Sequence, residues 1–143
     1  MNKILLALVF LSLFAQAQSS FLFIPNKGQW HEDVYYKTSI PGGDYFIDKK
    51  GITYSFYDHE AFSNLHQGLE VDSIHFHCVK IEFEGIQTPK TKEILKLNDE
   101  KYNYFLGNNP KNWASNLQGG KEVILTEVYP KIDLRYTCEN QRL

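Results

Sequence analysis

The stretch from Val34 to Tyr57 constrains the fold most, because its side chains alternate with period two between turns that only glycine-rich or polar residues make well. Val34, Tyr36, Thr38 and Ile40 alternate with Tyr35, Lys37 and Ser39. Pro41-Gly42-Gly43-Asp44 then reverses the chain into Tyr45-Phe46-Ile47. Asp48-Lys49-Lys50-Gly51 reverses it again into Ile52 to Tyr57, where Ile52, Tyr54 and Phe56 share a face. Successive residues of a strand point to opposite faces, so this alternation fits a pleated antiparallel meander and cannot line one side of a helix. Ten Phe, nine Tyr and two Trp stand against one Met, a bias that suits half-buried strands. The fold class expected is mostly β, an antiparallel β-sandwich-like domain with one short helix.

The remaining elements follow from the same signals. Phe21 to Ile24 reads as a short strand ended by Pro25, followed by turn chemistry at Asn26-Lys27-Gly28. Asp58 is expected to cap a helix running to Gly68, with Ala61, Phe62 and Leu65 at helical spacing. Ser73 to Glu84 is expected as a long strand. Its alternation puts His75, His77, Val79, Ile81 and Phe83 on the apolar face and Phe76, Cys78, Lys80, Glu82 and Glu84 on the polar one. Gln87 to Lys92 reads as an exposed loop, Glu93 to Leu97 as a strand, and Gly119-Gly120-Lys121 as a turn. Asn109-Pro110 opens one helical turn that presents Trp113. Lys121 to Tyr129 and Ile132 to Cys138 are the last two strands, joined at Pro130-Lys131. Cys78 and Cys138 fall on opposite kinds of face, which argues against an internal disulfide.

Residues 1–17 carry a different pattern. Lys3, an apolar run from Ile4 to Phe14 and the Ala15-Gln16-Ala17 site form a signal peptide, too short to span a bilayer. Export is therefore expected, with a secreted or cell-surface product, no membrane span after cleavage, and one β-rich domain over 18–143. A formal net charge of −2 gives no basic surface for nucleic acid.

Three blocks carry a resemblance: Phe23-Ile24-Pro25-Asn26-Lys27-Gly28-Gln29-Trp30, then Tyr102 to Trp113 (Tyr-Asn-Tyr-Phe-Leu-Gly-Asn-Asn-Pro-Lys-Asn-Trp), then Glu127-Val128-Tyr129-Pro130-Lys131-Ile132-Asp133-Leu134-Arg135-Tyr136. Together they resemble the N-terminal domain of unknown function of large secreted proteins from Bacteroidetes-type bacteria. The resemblance implies partners within a multidomain chain, namely β-propeller-type repeats or PKD and immunoglobulin-like modules, with a type IX secretion or gliding-motility-associated segment at the C-terminus. Lys131 departs from it, standing where such domains usually have Gly, and so does Cys78. The pattern also continues beyond Leu134-Arg135-Tyr136 into a further strand, so the domain is expected to be incomplete at its C-terminus.

No nucleophile motif, phosphate loop or supported carboxylate pair accompanies these strands, and a non-enzymatic structural or interaction domain without cofactor is expected. Its partners would be other extracellular domains or surface proteins. Trp30 and Trp113 each follow a turn. They read as indoles that tie those turns to the core, and alternatively as platforms for a glycan or peptide. His75 and His77 share a strand face, the minimum for a metal-dependent hydrolase, yet no third ligand stands at a supporting spacing. Asp133 reads as a surface carboxylate.

Overall fold

From Tyr36 onward the central meander forms in the register that its alternation implies, whereas a bulge between Val34 and Tyr36 breaks the alternation and buries Tyr35 as well as Tyr36. In the computed structural model, which describes residues 21–139, strands β2 (Val34–Ile40), β3 (Gly43–Asp48) and β4 (Gly51–Tyr57) pair antiparallel through two tight turns. At the first turn Pro41 precedes Gly42, whose φ of +77° is one that glycine adopts without strain. At the second, the buried Asp48 carboxylate accepts from the backbone N–H of Lys50 and Gly51 at 2.8 and 3.0 Å. The residues expected to form the signal peptide, and the chain beyond Glu139, lie outside the described residues.

Two further strands complete the first sheet: β1 (Ile24–Pro25) beside β2 and β5 (Phe76–Glu82) beside β4, in the order β1-β2-β3-β4-β5. Pro25 belongs to the strand instead of ending it, which an edge position tolerates because no ladder donor is needed there. Helix α1 (His59–His66) lies between β4 and β5 and starts where expected, with Asp58 accepting from Glu60 and Ala61 N–H at 3.0 and 3.1 Å. None of its residues is buried.

The second sheet is β6 (Lys92–Phe105), β7 (Trp113–Tyr129) and β8 (Ile132–Thr137), antiparallel in that order. The strand expected at Glu93 to Leu97 is part of one bulged strand that starts at Lys92 and runs to Phe105, and Gly119-Gly120 lie inside β7, not in a turn. Their missing side chains are the reason: a Cβ on Gly119 would meet Ile24 and Leu22, and one on Gly120 would meet the Leu95 carbonyl and the Ile94 side chain. This close approach lets Phe23 exchange backbone hydrogen bonds with Gly120 at 2.9 and 3.0 Å and stitch the two sheets together.

The sheets face each other across a core of Phe23, Tyr36, Tyr45, Ile47, Val123, Leu125 and Val128, a mostly antiparallel β arrangement. Burial keeps the phenols of Tyr36 and Tyr136 neutral, pushing each up to about 12, and the Cys138 thiol up to about 11. A smaller cluster of Leu22, Ile24, Ala114 and Leu117 closes one end. Among the described residues no helix is long and apolar enough to cross a membrane.

Candidate functional site

Two of the three sequence blocks meet at that end. Asn26 organises the loop between β1 and β2: its Nδ2 donates to the carbonyls of His31 and Val34 at 2.9 Å and of Trp30 at 3.3 Å. Its Oδ1 accepts from Gly28 N–H at 3.0 Å and Trp30 N–H at 3.3 Å. Gln29 is buried, donating to the Pro25 carbonyl and accepting from Lys27 N–H. Gly28, with φ of +111°, comes so near the Lys111 carbonyl that a Cβ would sit 3.3 Å from it. The loop therefore rests on the 3₁₀ turn Pro110–Asn112, which Asn109 caps through Lys111 N–H at 3.1 Å, as its sequence implied.

The two tryptophans flank this contact with different exposures. Trp30 is half-buried, edge-on to Tyr104 with centroids 5.1 Å apart, and the Lys37 ammonium lies 5.7 Å from its ring while pairing with Asp44 at 2.9 Å. It ties the loop to the small cluster. Trp113 is 42% exposed, and its Nε1 donates to the Gly107 carbonyl at 3.0 Å. Phe105, 63% exposed, meets it edge to face at 5.7 Å. A groove of about 330 Å³ runs between Leu22, Ile24, Lys37, Ile40, Tyr102 and Tyr104.

His75 precedes β5 and His77 lies on it, both exposed. The His75 ring is 3.3 Å from the Ser73 hydroxyl, and its carbonyl accepts from Asp58 N–H. Among the described residues no cluster of three metal-ligating side chains forms around them. Cys78 is exposed on the outer face of the first sheet, near the Ser55 hydroxyl, and Cys138 is buried between the sheets; both are free. Asp133 is exposed but has a structural task, accepting from Glu127 N–H at 2.8 Å where β7 bulges at a φ of +51°.

The largest departure from expectation is β5. All seven of its residues are exposed, although Val79 and Ile81 lie on the side facing the second sheet. Pairing aligns Ile47 with Ile52 and Ile81, and Tyr45 with Tyr54 and Val79. Along these rows exposure rises from 0% at Ile47 to 43% at Ile81, and from 4% at Tyr45 to 40% at Val79. The second sheet thus stops short of β4 and β5, leaving an apolar wall that Phe56 extends, its ring stacked on Tyr54 at 6.0 Å. Alternation located the apolar face of β5, and only the position of β8 could reveal that nothing among the described residues covers it.

A family model described as "Domain of unknown function (DUF7948)" matches residues 23–143. No curated protein matches the chain, and no solved structure does.

Proposed function

The chain belongs to the DUF7948 family of domains of unknown function, and from that premise we propose that it is a non-enzymatic structural or interaction domain of a secreted or cell-surface multidomain protein. The finer reading is the N-terminal domain of large exported proteins of the Bacteroidetes type, ahead of propeller-type repeats or PKD and immunoglobulin-like modules. The observation that carries it is the wall of Phe56, Val79 and Ile81, which nothing among the described residues covers, since exposed apolar area of this kind marks a contact surface. Residues 1–17 support the exported location through their charge, apolar run and Ala-x-Ala ending.

A second reading is a glycan- or peptide-binding module, favoured by the exposed Trp113 and Phe105 pair. One set of experiments separates the classes. The purified protein is screened for turnover of ester, phosphoester, peptide and glycoside substrates and for retention on a glycan array, and export is followed with and without residues 1–17. The expected result is no turnover, no retention that depends on Trp30 or Trp113, and export that fails without the leader. Turnover overturns the non-enzymatic reading, retention lost in Trp113→Ala selects the second one, and leader-independent localisation overturns the extracellular one.

A further inference from the structure

We propose that the hairpin tip carrying Phe105, Leu106 and Trp113 docks on the surface of an anionic lipid bilayer, seating its apolar side chains at the headgroup boundary with Lys27 and Lys111 against the phosphates. The inference rests on the reading of the domain as an interaction module and names the surface it meets.

Charge is the first observation. All 17 acidic residues of the chain lie outside two segments, 21–31 and 101–121, which carry Lys27, Lys101, Lys111 and Lys121. The fold brings these segments together: Phe23 exchanges backbone hydrogen bonds with Gly120, and Gly28 packs against the Lys111 carbonyl. One end of a molecule with a formal net charge of −2 is therefore cationic. Lys27 and Lys111 stand nearest the tip, both exposed, and neither pairs with a carboxylate among the described residues.

The second observation is how the tip is turned. Tyr104 pairs with Ala114, and Phe105 with Trp113, at the end of the ladder between β6 and β7. Paired residues of an antiparallel ladder share a face and successive ones alternate. Tyr104 and Ala114 thus turn toward Trp30 and the small cluster, while Phe105 and Trp113 turn away from it. With Leu106, also 42% exposed, they form an apolar rim of three large side chains, and Lys111 precedes Trp113 by two residues.

The third observation selects the bilayer. The tip spends its hydrogen-bonding groups on its own backbone: the indole N–H of Trp113 donates to the Gly107 carbonyl, Asn109 Oδ1 accepts from Lys111 N–H, and Asn103 Oδ1 accepts from Asn116 N–H. A sugar or a peptide strand is recognised through directional hydrogen bonds, and these groups are already committed. A lipid surface asks for none. The indole enters the headgroup boundary with its N–H satisfied, so its burial leaves no orphaned donor, and the lysines meet the phosphates. Apolar burial and attraction to anionic lipid then add, as in proteins that lie on a membrane without spanning it.

The chain that leaves β8 does not compete for this surface. Cys138 N–H donates to the Lys121 carbonyl, eight residues along β7 from Trp113, or about 26 Å at the rise of a strand. A strand returning beside β8 runs from there toward Tyr129, away from the tip.

The test is sedimentation with vesicles of phosphatidylcholine alone and of an equal mixture of phosphatidylcholine and phosphatidylglycerol. The protein begins at Gln18, the form left by cleavage after Ala17, which keeps every described residue and lacks the apolar run of the leader, itself able to bind lipid. Binding to the mixed vesicles should be at least about tenfold tighter than to phosphatidylcholine, and should weaken as salt is raised. Trp113→Ala, Leu106→Ser and the double change Lys27→Glu with Lys111→Glu should each weaken it at least about tenfold. Phe76→Ser, at a 61% exposed aromatic on β5, the far edge strand of the first sheet from β1, should leave it unchanged. Circular dichroism checks that each variant keeps its fold. A second measurement reports insertion: in Trp30→Phe, where Trp113 is the one indole left, bromine-labelled lipid should quench its emission. Equal binding to both vesicles, binding indifferent to Trp113→Ala and Leu106→Ser, or an unquenched Trp113 overturns the proposal. Glycan retention lost in Trp113→Ala overturns it too and assigns the rim to a sugar. A protein that ignores both vesicles refutes lipid docking, and if it also turns over no substrate the interaction-domain reading still stands, so the two failures are distinguishable.

Discussion

Replacing Asn26 should expose how much of this fold depends on one amide. Its side chain makes contacts at 2.9, 2.9 and 3.0 Å to His31, Val34 and Gly28, and two longer ones at 3.3 Å to Trp30. At about 1 kcal/mol net for each of the three well-formed bonds, Asn26→Ala should lose about 3 kcal/mol. Asn26→Asp keeps the shape but turns the donor Nδ2 into a second acceptor facing three carbonyl oxygens. Repulsion then adds to the lost bonds, and the total should reach about 5 kcal/mol, a large part of a domain's usual stability of about 5–15 kcal/mol. The assay is urea unfolding, followed by far-UV circular dichroism and by tryptophan fluorescence, because the loop sets the contact between Trp30 and Tyr104. The order expected is wild type, then Ala, then Asp. If the Ala variant loses less than about 1 kcal/mol, or Asp is as stable as Ala, the amide is not the organiser described and the reasoning fails.

Two further predictions concern the turn before β8 and the alkaline limb of stability. Lys131 holds a φ of +63°, a left-handed conformation that disfavours a side chain, so Lys131→Gly should stabilise by about 0.5–1 kcal/mol in urea unfolding. Lys50→Gly, at a turn position without positive φ, should destabilise by about the same amount; equal signs for the two would refute the argument. Tyr36, Tyr136 and Cys138 have folded pKa values raised to about 12, about 12 and about 11 from ordinary values of 10.0, 10.0 and 9.0, so the unfolded chain loses these protons first as pH rises. Their contribution is complete below the ordinary values and is lost through the folded ones. The melting temperature should therefore hold to about pH 9 and then fall, and in Cys138→Ala the fall should begin nearer pH 10, whatever the variant's starting stability. A melting temperature that stays level to pH 11 would contradict the burial of these groups.

The elements legible in the sequence are those whose cause is local. The meander Val34 to Tyr57, the Asp58 and Asn109 caps and the start of β8 after Pro130-Lys131 each depend on residues a few positions apart, and alternation or capping chemistry reads them directly. The long strands β6 and β7 were legible only in pieces, because register shifts between Leu97 and Lys101, between Tyr102 and Tyr104 and between Leu125 and Tyr129 break the alternation that defines a strand, with Asn116 and Glu127 at positive φ within the last two. Gly119-Gly120 looks like a turn in sequence and is a crossing point in space, where absent side chains let β1 reach β7. The candidate site divides the same way. Trp30 and Trp113 could be singled out by type and turn context, but which one is held in a cluster and which stands exposed depends on Tyr104 and Gly107 in another strand and loop. For β5, alternation determined which side of the strand is apolar. Whether that side is covered depends on how far the opposite sheet extends, a property of pairing between segments far apart in the chain, and tertiary structure alone decided that Val79 and Ile81 face an opening instead of a core.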